Sequence, residues 1–261
     1  MSMAGQGALA GRHALVTGGG RGIGAAIAGV LLAEGARVTL LGRDMARLEA
    51  RCAASAGAMR AVAADVADAD AVAAAFAMAR EGFGPVEILV NNAGQAESAP
   101  FLRTGIELWR RMIDVNLTGT MLCSQAVLPG MLEAGWGRIV NVASTAALKG
   151  YAYVSAYCAA KHGVVGLTRA LAAEVARGGV TVNAVCPGYT RTDLLAASVG
   201  NVVARTGRDA EAVQGMFAAS NPQGRVLEPE EVARAVLWLC LPSSSSVHGQ
   251  AIAVCGGEVT P

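Results

Sequence analysis

Residues 17–24 read Thr17-Gly18-Gly19-Gly20-Arg21-Gly22-Ile23-Gly24. The run 13–17 just before them is short and apolar, which predicts a strand. The run 22–34 after them puts Ile23, Ile27, Val30 and Leu31 on one helical face and is closed by Gly35. A glycine-rich turn between a strand and a helix lets backbone approach a pyrophosphate with no Cβ in the way. The helix start then offers free N–H groups and a partial positive charge. This turn sets the reading of the rest of the chain.

Outward from it, short apolar runs alternate with helical patterns. Further strands are predicted at 37–41, 59–63, 88–91, 138–142, 180–185 and 251–254. Helices are predicted at 45–56, from Asp68 as a cap to about Gly82, at 108–133 as one long helix, at 156–177, and from Pro229 to just before Pro242. Such alternation predicts an α/β fold built on one parallel sheet with helices on both faces. The strands are continuously apolar, as strands covered on both faces are. No composition break divides the 261 residues, so one domain is expected over 1–261. The stretch 188–225 carries Gly, Asn, Ser and Thr and is predicted to be an irregular segment acting as a substrate lid.

Composition narrows the function. The chain is 53% hydrophobic with a net charge of +1, which fits a wide buried sheet and gives no basic face for nucleic acid or anionic membrane. The six cysteines are scattered, without a Cys-x-x-Cys pair, and are expected to be reduced thiols; His13, His162 and His248 show no ligand spacing, so no metal is expected. The first eleven residues lack a basic head and apolar core, and no uncharged run reaches the ~18 residues of a membrane span. A cytoplasmic protein is therefore expected. Among 21 basic residues only Lys149 and Lys161 are lysine, so each stands out against a background of arginine.

The spacing Thr-Gly-x-x-x-Gly-x-Gly at Thr17, Gly18, Gly22 and Gly24 resembles the short-chain dehydrogenase/reductase family, and other motifs agree in order. Asp65-Val66 follows the third strand. Asn91-Asn92-Ala93-Gly94 ends the fourth. Asn116, Ser144, Tyr157 and Lys161 match the family's tetrad, and Pro187-Gly188 with Thr190 and Thr192 matches its nicotinamide loop. The resemblance runs from about His13 to Gly257. It implies a Rossmann-type doubly wound sheet that binds a nicotinamide dinucleotide through Gly18, Gly20, Arg21, Gly22, Ile23, Gly24, Asp65, Val66, Asn92, Ala93, Gly94, Tyr157, Lys161 and the Pro187–Thr192 loop. The second strand ends Leu41-Gly42-Arg43-Asp44. Gly42 stands where an acid would select NAD, and Arg43 can grip a 2′-phosphate, so NADP(H) is expected ahead of NAD(H).

The same resemblance implies the chemistry. Tyr157 and Lys161, four apart, share one helix face, and an ammonium beside a phenol is expected to lower its pKa. Ser144 would hold a carbonyl oxygen beside Tyr157, and Asn116 would fix a water next to Lys161 in a proton relay. Cys158, next to Tyr157, should face away and pack. The expected activity is a carbonyl reductase.

The regions 143–168 and 182–188 resemble 3-oxoacyl thioester reductases and polyketide ketoreductases. Gln95, Ser144, Thr145, Tyr151, Tyr153 and Tyr189, with Leu194, Leu195 and Met216, are candidate substrate contacts and suit an acyl or aryl ketone. Where such reductases carry basic residues for an acidic carrier protein, this chain has Glu133, Gly135, Trp136 and Ala173. A CoA thioester or free ketone is expected instead. The alternatives are an NAD-dependent alcohol or hydroxysteroid dehydrogenase, or a silent NADP-binding regulator. A homotetramer pairing the long helices is expected.

Overall fold

The computed structural model describes residues 7–260; the reading of the first few residues falls partly outside that range. The chain runs β1 (His13–Thr17), α1 (Gly22–Ala33), β2 (Arg37–Gly42), α2 (Met45–Cys52), β3 (Met59–Ala63), α3 (Ala69–Phe83) and β4 (Ile88–Asn91). It continues through α4 (Ile106–Ile113), a π-helical turn (Asp114–Thr118), α5 (Gly119–Glu133), β5 (Gly137–Val142), α6 (Ser155–Val175) and β6 (Val180–Pro187). Helices α7 (Asp193–Thr206), α8 (Ala210–Ala219) and α9 (Pro229–Cys240) precede β7 (Ala251–Val254). The strands form one parallel sheet in the order β3-β2-β1-β4-β5-β6-β7. Strand order reverses between β1 and β4, and ligands of open α/β sheets bind at the carboxyl ends of the strands beside such a switch.

Two cores flank the sheet. On one face Ile27 and Leu31 of α1 meet Val232, Val236 and Leu239 of α9 over Val16, Leu40 and Val90. On the other, Phe76 of α3 and Val127 and Met131 of α5 lie over Leu15, Leu89 and Ile139. Phe76 is fully buried, and a buried aromatic of this kind contributes about 2–3 kcal/mol. Helix α5 sits close to the sheet edge because residue 119 is glycine; a Cβ there would lie 2.8 Å from Val66 Cγ2 and 3.0 Å from Val66 O. Among the described residues no helix is long and apolar enough to cross a membrane.

Three expectations need correction. The helix predicted over 108–133 begins at Ile106 and is broken at its middle by the π-helical turn. The cause is Asn116, whose Nδ2 donates to Met112 O at 3.0 Å and so enters the helix's own hydrogen-bond ladder. The second helix stops at Cys52 rather than 56. Ser55 Oγ donates to Cys52 O at 2.6 Å and accepts from Met59 N, while Ala56 (φ 49°) and Gly57 turn left-handed. The segment 188–225 is not irregular, because it holds α7 and α8. Thr192 Oγ1 caps α7 through Leu195 N at 3.4 Å, and Asp209 Oδ2 caps α8 through Glu211 N and Ala212 N at 2.9 and 3.1 Å.

Candidate active site

The glycine turn is fixed from behind. Thr17 Oγ1 accepts from Asn92 N and Ala93 N at 3.0 and 2.9 Å, and Asn92 Nδ2 donates to Thr17 O at 2.9 Å and Gly18 O at 3.3 Å. Asn92 and Ala93 therefore brace the turn, and the Asn92 amide is spent there. Gly18 needs its φ of +64°, and a Cβ on Gly24 would fall 2.3 Å from Gly18 O. No side chain caps α1, whose N-cap is Arg21, so the first-turn amides face the crevice without a side-chain acceptor. The turn is a cradle that side chains would fill, and its chemistry fits a dinucleotide pyrophosphate.

Past the end of β2 lies a group of arginines. Arg21 pairs with Asp193 at 2.9 Å, and Arg47 pairs with the same carboxylate at 3.4 Å and with Asp44 at 3.1 Å. Arg43 is 73% exposed and lies 3.9 Å from Asp65. Arg47 was not singled out in the sequence, although its place three residues after Asp44 in the first turn of α2 is the signal that could have found it. Asp65 Oδ1 accepts from Ala67 N at 3.0 Å, and the Val66 side chain packs against α5. Thr192 reaches over the turn, its Cγ2 3.0 Å from where a Gly22 Cβ would stand.

The predicted tetrad converges at the ends of β4 and β5. Ser144 directly follows β5 and its Oγ accepts from Ala146 N at 3.1 Å. Tyr157 and Lys161 come one turn apart on α6, and the Ser144 hydroxyl is close enough to act on the Tyr157 phenol. Lys161 is buried, donates from Nζ to Val142 O at 2.9 Å and stands 5.7 Å from the Tyr157 ring centroid. Gly94 brings Asn116 into the group. A Cβ there would lie 2.8 Å from Asn116 Oδ1 and 3.6 Å from Lys161 Nζ. Asn116 Nδ2 also donates to Gln95 O at 3.0 Å, and Gln95 N donates back to Oδ1 at 3.3 Å. Ser144, Tyr157, Lys161 and Gly94 can thus hold a carbonyl, a proton donor and a cofactor edge together.

The expected lowering of the Tyr157 pKa is not found. Desolvation pushes the phenol up to about 12, with the Ser144 hydroxyl pulling the other way. Burial pushes Lys161 down to about 8. Desolvation outweighs the neighbouring groups for the phenol, and it lowers the ammonium as well.

The candidate substrate residues divide. Thr145 Oγ1 hydrogen-bonds Tyr151 Oη at 2.7 Å, and Tyr151 and Tyr189 line a cavity of about 270 Å³ against α7 and α8. Met216 lines it too. The Gln95 side chain turns to Arg111 O at 3.3 Å. Tyr153 points outward at 66% exposure, with φ 69° and its carbonyl held by Ala99 N, so it does not serve as a cavity wall. Leu195 is buried in the fold and Leu194 is exposed. In the loop after β6, Thr190 Oγ1 donates to Gly188 O at 3.0 Å. Cys158 is buried, as expected for packing. Glu258 and Phe217 also line the cavity and had no sequence signal.

Residues 12–202 match the short chain dehydrogenase family model. The short-chain reductase protein NovJ of Streptomyces niveus is 42% identical, covering 94% of this chain and 93% of that protein. The cis-4-hydroxycyclohexanecarboxylate dehydrogenase of Sinomonas cyclohexanicum is 43% identical over 96% of this chain and 97% of its own. A crystal structure of an actinorhodin polyketide ketoreductase variant with NADPH superposes with a TM-score of 0.91 at 39% identity, covering 95% of this chain and 97% of that one. By this family match and these relatives, the chain belongs to the short-chain dehydrogenase/reductase family, oxidoreductases that bind a nicotinamide cofactor and interconvert C=O and CH–OH groups on small molecules.

Proposed function

We propose that this protein is an NADPH-dependent carbonyl reductase acting on a 3-oxoacyl thioester carried on CoA, or on a related acyl or aryl ketone. The observation that carries the reading is the convergence of Ser144, Tyr157 and Lys161 beside the glycine cradle. The reduced dinucleotide, when bound, supplies the hydride. Ser144 Oγ, already accepting from Ala146 N, keeps its proton free to donate to the substrate oxygen. Tyr157 gives the proton that completes the alcohol. Lys161 stabilises the charge left on Tyr157 and replenishes it through a relay in which Asn116 fixes the backbone for a water. Arg21 and Arg43 would hold the 2′-phosphate, since Gly42 presents no carboxylate there and Arg43 is mostly free. Helices α7 and α8 serve as the substrate lid.

CoA is favoured over a carrier protein by the basic residues near the expected docking face. Arg138 is buried and stacked with Trp136, which also stacks on Arg12, so it offers nothing to an acidic partner, and Arg169 and Arg177 are the exposed cations on and just after α6. A homotetramer accounts for the exposed Ile106 and Trp109 on α4 and Leu132 on α5. The test is a panel of 3-oxobutyryl-CoA, the same acyl group on a carrier protein, and cyclic aryl ketones, each with NADPH and NADH. Reduction of the CoA ester or the ketones with NADPH is expected. Turnover only toward oxidation with NAD would overturn the reading in favour of an alcohol or hydroxysteroid dehydrogenase, and no turnover in either direction would favour a silent NADP-binding regulator.

A further inference from the structure

The arginines past β2 are paired with the carboxylates of Asp44, Asp65 and Asp193, and these differ in what else they do. Asp44 is fixed, because its Oδ1 accepts from Arg47 N at 3.2 Å and caps α2. Asp65 is fixed as well, with its Oδ1 on Ala67 N at 3.0 Å. Asp193 has no such duty, since the cap of α7 is Thr192. Among the described residues its carboxylate meets the side chains of Arg21 and Arg47 and no backbone N–H.

Asp193 also comes from elsewhere in the chain. It opens α7 in the lid, 172 residues from Arg21 and 146 from Arg47. Both guanidiniums reach the same atom. Arg21 Nη1 lies 2.9 Å from Asp193 Oδ2, and Arg47 Nη1 lies 3.4 Å from it. Two cations from different elements converging on one oxygen mark a point that favours an anionic oxygen, and guanidiniums suit phosphate oxygens as well as carboxylates. That point stands beside the glycine cradle. Arg47 Cβ lies 3.6 Å from where a Gly20 Cβ would be, and Arg21 is the N-cap of α1. Arg21, Arg43 and Arg47 are balanced in charge by Asp44, Asp65 and Asp193, so a phosphate gains a net positive group only if one carboxylate gives way. Asp193 is the one that can, because no backbone turn depends on its side chain.

We propose that Asp193 is an internal competitor of the cofactor's 2′-phosphate. Its carboxylate occupies Arg21 and Arg47, weakens NADPH binding and so sets how strongly NADPH is preferred over NADH. Arg47 joins Arg21 and Arg43 as a phosphate ligand. The inference rests on the proposed NADPH reading, but the competition is measured on its own. Arg21, Arg47 and Asp193 are each more than half exposed, so the effect is severalfold and not a matter of decades.

The test is calorimetric binding of adenosine 2′,5′-bisphosphate and of 5′-AMP to the full-length protein. Neither carries a nicotinamide, so turnover plays no part. Asp193→Asn keeps the size and removes the charge; it should tighten the bisphosphate about threefold or more and leave 5′-AMP within about twofold. Asp193→Glu keeps the charge and should behave as the wild type does. Arg47→Ala should weaken the bisphosphate alone. The gain in Asp193→Asn should fade in high salt, because the group faces solvent. If both ligands shift by the same factor in Asp193→Asn, the tie is merely structural and the proposal is overturned. A bisphosphate that binds less tightly in that variant also overturns it, since Asp193 would then be holding the arginines in place for the phosphate. Equal affinities for the two ligands in the wild type would refute the NADPH preference instead. If the bisphosphate is then still favoured in Asp193→Asn, Asp193 stands as the competitor and only the cofactor reading fails.

Discussion

Lys161 Nζ is tied to Val142 O at 2.9 Å, and the same ammonium lies 5.7 Å from the centre of the Tyr157 ring. One side chain thus links the end of β5 to the phenol from inside the protein. An arginine cannot repeat this, since its planar guanidinium is broader than an ammonium and the Lys161 side chain is buried. Lys161→Arg should lower turnover at least a hundredfold and also weaken cofactor binding. Fluorescence titration of NADPH beside steady-state rates checks both, and an unchanged affinity with a lost rate would restrict Lys161 to the proton relay.

Tyr157→Phe removes one hydroxyl and keeps the ring that packs on α6. General acid catalysis contributes about 10²–10⁴-fold, so the loss in single-turnover reduction should fall in or above that range. NADPH affinity should stay within about threefold. If the variant keeps more than about a tenth of the wild-type rate, the proton comes from elsewhere.

The sheet and the convergence of the tetrad were legible because their causes are local. Apolar runs covered on both faces mark the strands, and Tyr157 and Lys161 are placed by the period of one helix. What escaped has causes far away in sequence. The π-helical turn comes with Asn116 Nδ2 shared between Met112 O in its own helix and Gln95 O, 21 residues before it, and only the first is close in sequence. Glu258 meets Tyr151 across 107 residues, and nothing near position 258 announces a buried carboxylate. Helices α7 and α8 were hidden differently. Their caps Thr192 and Asp209 are visible, but Gly200 and Gly215 inside them read as breakers. The depressed phenol pKa failed because side-chain spacing says nothing about desolvation.

NADPH should bind at least tenfold more tightly than NADH. Arg43 is the most exposed arginine of the group past β2, and its one partner, Asp65, is 3.9 Å away, so little must be broken for it to meet a phosphate. Arg43→Ala should remove most of the preference by weakening NADPH alone. The preference should shrink in high salt, because the group is solvent-facing. Calorimetry of both cofactors at two ionic strengths decides the matter, and equal affinities at low salt would refute it.

Helices α7 and α8 should be the least protected part of the chain between residues 88 and 240. Leu195 is the buried side chain of α7 and Val213 that of α8, so each helix is held by little apolar contact. Polar ties such as Arg205 Nη1 to Ser98 O at 3.1 Å are exposed and weak. Hydrogen exchange across 193–219 should be fast in the free protein and slow once cofactor and substrate are both bound. Protection equal to that of β4 and β5 in the free state would contradict a mobile lid.

Stability should fall steeply on the alkaline side. Burial pushes the thiols of Cys123 and Cys240 up to about 12 and that of Cys186 to about 11, against an ordinary 9.0. Above pH 9 the unfolded chain sheds those three protons while the folded one keeps them, so the folded state is progressively disfavoured as pH rises. Lys161 works the other way. Lowered from 10.5 to about 8, it is neutral when folded and charged when unfolded across that window, which returns one proton to the unfolded side. The folded state is left with about two extra protons between pH 9 and 10, a loss of roughly 3 kcal/mol per pH unit, and above pH 10 the phenols of Tyr151, Tyr157 and Tyr189, also pushed up by burial, steepen it further. Between pH 8 and 9 the first thiol protons lost by the unfolded chain and the proton it keeps on Lys161 nearly cancel, and stability should stay about level. Urea unfolding under reducing conditions at pH 8, 9 and 10 measures this, and Cys123→Ala should flatten the alkaline slope by about 1.4 kcal/mol per pH unit. A midpoint at pH 10 equal to or above that at pH 9 would show that these thiols ionise without cost in the folded protein.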